Sequence, residues 1–548
     1  MPTVSAHVAA ALSRHIDQVF GLMGNGNAYF LDALLRDTRT AYTAVRHEVG
    51  AVVAADAHFR VSGRIAAATT TYGAGFTNTL TALAESAQAR VPLVLVVGDQ
   101  PTPGPRPWDV DQIALASAVG VRTYTVGRLD AAATTVIAIE HALANRTPVV
   151  LALPYDTPTL DAGPLPEIPD PRMPAPVVPS PDGRAAIRRA ARALAEAERP
   201  VLLAGRGAWL AGAGEALGRL ADAAGAVTAT TALGRGVFPD ASHDLGVTGG
   251  FGAPGAMDLI HTADVVVAVG ASLSPFTMRF GELLQPEARF IQVDIAATAT
   301  HPRVGEYIRG DARTVAELLA DEVTAIGARA TWRDDLDMDA LRRQLVEGEL
   351  APDGRLDPRA AAARIGALLP EDRVVVSDGG HFIAWANMFW PVASPGRMVM
   401  IGTAFQSIGL GWPSVAGAAQ ADPDATVVLT TGDGGGLMAL ADLETAVRTA
   451  RGRGLAVVWN DAAYGAEVNL YGLKGLHDGP MRIPQVDFAA LGRAAGAEGV
   501  VVERLADLDR LATWAAEPAD ARPFLVLDLR ISGDVIAPYQ HEVIRVNS

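Results

Sequence analysis

The chain has 548 residues, of which 49% are hydrophobic and 19% charged; its formal net charge is −16 and it contains no cysteine. Such a length exceeds one hydrophobic core and implies about two to four domains. The acidic balance argues against nucleic acid or an anionic membrane as the main partner, and the missing cysteine excludes disulfides, thiolate metal sites and cysteine nucleophiles.

The N-terminal stretch "MPTVSAHVAAALSRHIDQVFGLMG" is broken by polar residues at helical spacing and does not read as a signal peptide. Apolar runs such as "PLVLVVG" and "DVVVAVG" are too short to cross a bilayer. A cytoplasmic protein without a membrane partner is expected. Next come β-type runs separated by helical patterns. In residues 1–160 these are "IAAATTT", "PLVLVVG" and "TPVVLALP". The proline-rich stretch 153–185 then reads as an extended linker over a surface. Residues 183–330 offer "RPVLLAG", "DVVVAVG" and "RFIQVDI". After a charged break near 327–357, residues 355–548 offer "RVVVSDG", "RMVMIG", "TVVLTTG" and "LAVVWND". The alternation predicts an α/β fold of three doubly wound parallel-sheet domains, with ligands at the C-terminal ends of strands. The first and third blocks echo each other: "AATTTYGAGFTNTLTALAESAQARVPLVLVVGD" and "VVLTTGDGGGLMALADLETAVRTARGRGLAVVWND" both run strand, glycine loop, helix, strand. Either every doubly wound domain contains this unit, or two related domains share one ligand.

The chemistry concentrates in "VVLTTGDGGGLMALADLETAV", where a single acid, Asp433, sits among Gly432, Gly434, Gly435 and Gly436. Asp433 ends one strand, and Asn460–Asp461 ends the next, with Asp461 28 positions after Asp433. Strand, helix, strand brings both ends to one sheet edge. Mg²⁺ suits that layout, because it takes one or two carboxylates and leaves octahedral positions for phosphate and water. The glycines admit a phosphate to backbone N–H groups at a helix start. A missing Lys–Ser/Thr ending excludes a P-loop.

GDG followed after 25 residues by "ND" and then "AAYG" resembles the thiamine diphosphate motif GDG–x(about 25)–NN. Nearly the whole chain resembles the acetolactate synthase / benzoylformate decarboxylase branch of thiamine diphosphate-dependent enzymes. That resemblance implies pyrimidine-binding, central and diphosphate-binding domains. It assigns Asp433 to Mg²⁺, with Asp461 as second ligand if Tyr464–Gly465 sets the register and Asn460 if counting starts from Asp433. The first register is adopted, with the Ala463 carbonyl as third ligand. Aspartate then stands where the motif has asparagine.

By the same resemblance, "SDGGHFIAWANMFW" places Gly380, His381 and Phe382 near the diphosphate, although its aromatic residues read equally well as core. "IGTAFQSIGLGWP" supplies Gly402, Thr403, Phe405 and Ile408, the last as the apolar prop of a bent cofactor. In "TAVRHEVGAVVAADAHFRVSG", Glu48 opens an Ala/Val-rich helix expected to be largely buried. On its own such an acid also reads as one favoured by the helix dipole. The resemblance makes it the partner of the thiamine pyrimidine, and burial would help it hold a proton. Asn25, Thr71 and Tyr72 fall at substrate-side positions, and Trp108 falls where acetolactate synthases carry glutamine. The central block leaves FAD as an option. Sites between subunits imply a homodimer or tetramer. The implied reaction is decarboxylation of a 2-oxo acid with carboligation to a second carbonyl acceptor. Its rivals are a non-oxidative decarboxylase of the benzoylformate type, a 2-hydroxyacyl-CoA lyase and an inactive paralogue.

Overall fold

The computed structural model describes residues 2–328 and 330–547. Every run read as a strand is one. The first sheet comprises β1 (Gln18–Gly21), β2 (Ala41–Ala44), β3 (Ala66–Thr70), β4 (Leu93–Asp99), β5 (Arg122–Thr125) and β6 (Pro148–Pro154). The second comprises β7 (Pro200–Ala204), β8 (Val227–Thr230), β9 (Asp244–Val247), β10 (Val265–Val269), β11 (Arg289–Asp294) and β12 (Glu306–Arg309). The third comprises β13 (Val374–Ser377), β14 (Met398–Met400), β15 (Val427–Gly432), β16 (Gly454–Asn460), β17 (Glu498–Val502) and β18 (Leu525–Arg530). Neighbouring strands in all three sheets pair in parallel. Their near-continuous Val, Ala and Leu runs follow from that, since a parallel sheet is covered by helices on both faces.

Strand order answers the question raised by the internal echo. The first sheet runs β2-β1-β3-β4-β6-β5 and the third β14-β13-β15-β16-β18-β17, the same order when each is counted from its own first strand. The middle sheet runs β12-β11-β10-β7-β8-β9. It is doubly wound too, yet differently, so the likeness of the first and third blocks is more than the shared βαβ unit.

One apolar cluster joins the inner faces of the first and third sheets, from Phe20 and Val52 to Trp412 and Val458. The outer faces of these sheets and the two faces of the middle sheet each carry a cluster of their own. The joint centres on helices Glu48–Ser62 and Gly411–Ala421. Residues 164–179 have no regular structure and are mostly exposed. They lie along the surface through Arg172 N–H to Glu140 (2.9 Å) and the Val177 carbonyl to Asp311 N–H (2.8 Å). Among the described residues, no helix is long and apolar enough to cross a membrane.

Candidate active site

In the third sheet, β13 and β15 are neighbours whose chain continuations leave in opposite directions. Ligands of such sheets bind beyond the C-terminal ends at this switch point. Register pairs Gly432 with Trp459, so Asp433 stands level with Asn460. Asp433 Oδ1 accepts from Gly434 N–H at 2.9 Å, while its Oδ2 is buried without a partner. Burial, then the nearby Asp461 carboxylate, push the Asp433 pKa up to about 7. Burial alone dominates at Asp461 and raises it to about 6.

The two candidate second ligands differ in their surroundings. The Asn460 amide donates through Nδ2 to Asp528 Oδ1 (2.8 Å) and the Val486 carbonyl (2.9 Å), and its Oδ1, like Asp433 Oδ2, is buried without a partner. Asp461 is the group that faces Asp433 electrostatically, and its Oδ1 accepts from Ala463 N–H at 3.2 Å. Ala462, at φ +60°, turns the chain between them. Among the described residues, no set of three or more His, Cys, Asp or Glu side chains is placed to hold a metal. A cation here would take two carboxylates and complete its shell with a backbone carbonyl, water and phosphate oxygens. An orphaned carboxylate oxygen beside a second carboxylate fits a hard divalent cation of that kind.

The glycines of the turn are also demanded by the protein itself. A Cβ on Gly434 would lie 2.6 Å from the Tyr464 ring, and one on Gly435 would lie 2.7 Å from Asp378 Oδ2. Asp378, at the end of β13, accepts from the N–H groups of Gly379 (2.8 Å), Gly409 (3.1 Å) and Leu410 (3.2 Å) and from the Thr431 hydroxyl (3.1 Å). Its burial lifts the pKa to about 6. It thus ties the end of β13 to the end of β15 and to the loop carrying Gly402, Thr403, Phe405 and Ile408. Ile408 Cγ2 lies against Gly379, whereas Phe405 is 46% exposed.

His381 is buried and held neutral, its pKa lowered to about 4 by burial. Its Nε2 accepts from Ala537 N–H at 3.1 Å, which leaves the proton on Nδ1, on the side of Gly465. Phe382 is core: it packs with Trp385 and Trp459 and its ring covers Gly432. The chain end, for which the sequence offers no spacing argument, lies over this region. Tyr539 OH donates to the His381 carbonyl (3.2 Å) and Gln540 Nε2 to the Ala466 carbonyl (3.3 Å).

The first sheet carries the other half. Helix Glu48–Ser62 starts where expected, capped by His47, whose Nδ1 accepts from Val49 N–H. The helix is buried, but the Glu48 carboxylate is only half-buried and accepts from Asn78 Nδ2 at 2.9 Å. It sits in the first helical turn, beyond the sheet edge, which is why the buried helix does not bury it. Thr71 Oγ1 accepts from Gly26 N–H (3.0 Å), and Asn25 Nδ2 donates to Tyr72 OH (3.2 Å). Trp108 is 63% exposed. A group that the sequence did not single out organises this edge: the Arg106 guanidinium lies 4.2 Å from the Tyr72 ring centroid, 4.4 Å from that of Tyr155 and 5.6 Å from that of Trp108, with Asp109 paired at 2.8 Å. Within one chain Glu48 is bonded to Asn78, and Asp433 is surrounded by Gly434, Ala462 and Asp461. The chain does not join the two acids to each other.

The two sheets that share an order thus carry Asp433 directly after β15 and Glu48 at the start of the helix that follows β2. Residues 2–115 match the thiamine pyrophosphate enzyme N-terminal TPP binding domain, 187–319 the central domain and 378–527 the C-terminal TPP binding domain. The chain belongs to the thiamine pyrophosphate enzyme family. This thiamine pyrophosphate enzyme is 28% identical to the sulfoacetaldehyde acetyltransferase of Castellaniella defragrans, over 93% of the chain and 89% of the relative. It is 28% identical to a probable acetolactate synthase large subunit of Methanocaldococcus jannaschii, over 81% and 78%. To the acetolactate synthase isozyme 3 large subunit of Escherichia coli it is 27% identical, over 96% and 94%. The turn holding Asp433 and the sheet edge holding Glu48 fall inside the C-terminal and N-terminal TPP binding domains respectively.

Proposed function

We propose that this enzyme uses thiamine diphosphate and Mg²⁺ to decarboxylate a 2-oxo acid and transfer the remaining acyl unit to a second carbonyl, as an acetolactate synthase-like carboligase. The reading rests above all on the unpaired Asp433 oxygen facing Asp461 at the edge of β15 and β16. Asp433, Asp461 and the Ala463 carbonyl hold the cation, and the N–H groups after Gly432 face the diphosphate. When bound, the cofactor supplies an electron sink for the carbanion left by carbon dioxide. Glu48, oriented by Asn78, serves the pyrimidine side. Ile408 and the chain end exclude water. Asn25, Tyr72 and Trp108 line the substrate side. The working unit is a homo-oligomer, a dimer or tetramer, in which Glu48 of one subunit meets Asp433 of the next.

FAD has no part in the proposal. At the ends of β7 and β10 the glycine turns press on each other: a Cβ on Gly205 would lie 2.7 Å from the Ala271 Cα, so these glycines serve packing between loops. The resemblance to sulfoacetaldehyde acetyltransferases at equal identity favours a second reading, an acetyl-transferring enzyme acting on sulfoacetaldehyde. Supplying holoenzyme with pyruvate and an aldehyde separates the possibilities. An acyloin product supports carboligation, release of the aldehyde derived from pyruvate with the added aldehyde unchanged points to a simple decarboxylase, and acetylation of a supplied nucleophilic acceptor from sulfoacetaldehyde in place of pyruvate supports the second reading.

A further inference from the structure

Three charged side chains are buried where the first domain meets the third sheet, and the groups they reach in the third domain belong to a single loop. Arg60 and Asp56 lie one turn apart on helix Glu48–Ser62; Glu85 lies on the helix Leu80–Gln88. Their side chains are 4%, 1% and 1% exposed. Arg60 Nε donates to Asp56 Oδ1 (2.5 Å), Arg60 Nη2 to Glu85 Oε1 (3.1 Å), and Ser86 Oγ to Asp56 Oδ2 (2.8 Å). Arg206 lies nearby without an ion pair to these acids, its guanidinium bonded to the Ala89 carbonyl (3.2 Å), and burial followed by repulsion from Arg60 disfavours its charge more than Asp56 favours it. Replacing such a network with apolar residues is often neutral or stabilising, so burying it calls for a reason other than stability.

The reason lies in what the network holds. Arg60 Nη1 donates to the Met400 carbonyl (2.7 Å), at the last residue of β14. Glu85 Oε2 accepts from Ala404 N–H (3.0 Å) and Phe405 N–H (2.7 Å). Asp378 takes the far end of the same loop through Gly409 and Leu410 N–H. Between these anchors the loop passes through left-handed backbone at Gly402 (φ +96°), Gln406 (+59°) and Gly409 (+82°), conformations that stay populated only where neighbours over-determine them. Ile408 and Phe405 ride on this loop. All three bonds from Arg60 and Glu85 are to backbone, one at the last residue of β14 and two in the loop, so the grip is independent of the side chains the loop carries.

We propose that Glu85, backed by Arg60, is a positioning residue that holds loop 401–409 closed against the cofactor crevice, so that a residue of the pyrimidine-side domain sets the affinity for thiamine diphosphate without touching it. The inference rests on the cofactor reading above. Phe405 provides the probe, because it is exposed and chymotrypsin cuts after phenylalanine.

In Glu85→Ala, cleavage after Phe405 of the cofactor-free protein is expected to be about tenfold faster or more, and the dissociation constant of thiamine diphosphate with Mg²⁺, read by calorimetry, about tenfold higher, as for loss of charge-assisted hydrogen bonds. Saturating cofactor restores protection. Glu85→Gln keeps one acceptor oxygen for the loop N–H groups but turns its NH2 toward the Arg60 donors, so a recovery between those of Ala and wild type is expected. If Glu85→Ala fails to fold, Glu85→Asp keeps the charge beside Arg60 and withdraws the carboxylate from the loop by one methylene; the same two shifts are expected. Wild-type cleavage and wild-type affinity in a folded Ala or Asp variant overturn the proposal. If the wild-type protein takes up no thiamine diphosphate at all, the cofactor reading fails, while the cleavage rates still decide whether Glu85 holds the loop.

Discussion

Asp433 holds one oxygen unpaired inside the protein, and a second carboxylate stands next to it. Without a cation this is a destabilising arrangement with a definite pH signature. The folded-state pKa of about 7 lies above the ordinary 3.8, so the folded protein keeps a proton that the unfolded chain has already lost. Stability of the metal-free protein therefore falls as pH rises from about 4 to about 7, and the loss is complete above that. Asp433→Asn removes the group responsible. In metal-free protein, the variant is expected to melt higher than wild type at pH 8, by the equivalent of ~1–4 kcal/mol, with the gap closing toward pH 4. With Mg²⁺ and thiamine diphosphate added the order reverses, since only wild type gains from binding. Thermal midpoints in both conditions check this; a variant less stable than wild type at pH 8 without metal would mean that the carboxylate is held by the protein alone. The meeting of the Asp433 turn with the Asn460–Asp461 strand end was legible in the sequence because a strand–helix–strand spacing fixes which ends meet; the preference for Asp461 over Asn460 came from the resemblance and not from spacing. Asp378, Glu85 and Arg106 were not legible. Their partners are backbone N–H groups or rings many residues away, and no local pattern encodes those.

At the scale of elements, helices Glu48–Ser62 and Gly411–Ala421 carry the joint between the first and third domains, and their approach is set by one glycine. Gly417 lies mid-helix, where glycine costs about 0.5–1 kcal/mol relative to alanine. A Cβ there would overlap the Ala54 carbonyl of the facing helix. Gly417→Ala should therefore lower the thermal midpoint despite the better helix former, by about 1–3 kcal/mol for overpacking. An unchanged or higher midpoint would show that the helices part at no cost. Strands were the most legible elements, since buried parallel strands read as continuous apolar runs. The short β2, β5 and β12 carry polar residues at sheet positions near the edges and gave no such run. Of the helix carrying Glu48, the start and the burial were readable. The open position of the carboxylate was not, because it depends on where the first turn ends relative to the sheet.

For the whole molecule, the repeated strand order of the first and third sheets places two similar ligand edges in each chain, yet the acids on those edges have separate partners within it. The sequence echo hinted at this pairing; what it lacked was the contrast with the middle sheet, which only topology supplies. If Glu48 serves the site whose cation is held by Asp433 of another subunit, two dead variants must complement each other. Glu48→Gln and Asp433→Asn are each expected to be inactive. In a heterodimer, one site combines both substitutions and the other combines neither, because the intact Glu48 and the intact Asp433 come from opposite chains. Equal amounts that reassort at random give half heterodimers with one working site of two, hence about a quarter of wild-type activity. Sites completed within a chain would leave every site in the mixture carrying one substitution, and activity would stay at the level of the single variants. Co-expression with two affinity tags, followed by assay of the doubly tagged fraction, isolates the heterodimer and raises the expected recovery to about half. No recovery in that fraction would place Glu48 and Asp433 in one subunit's site.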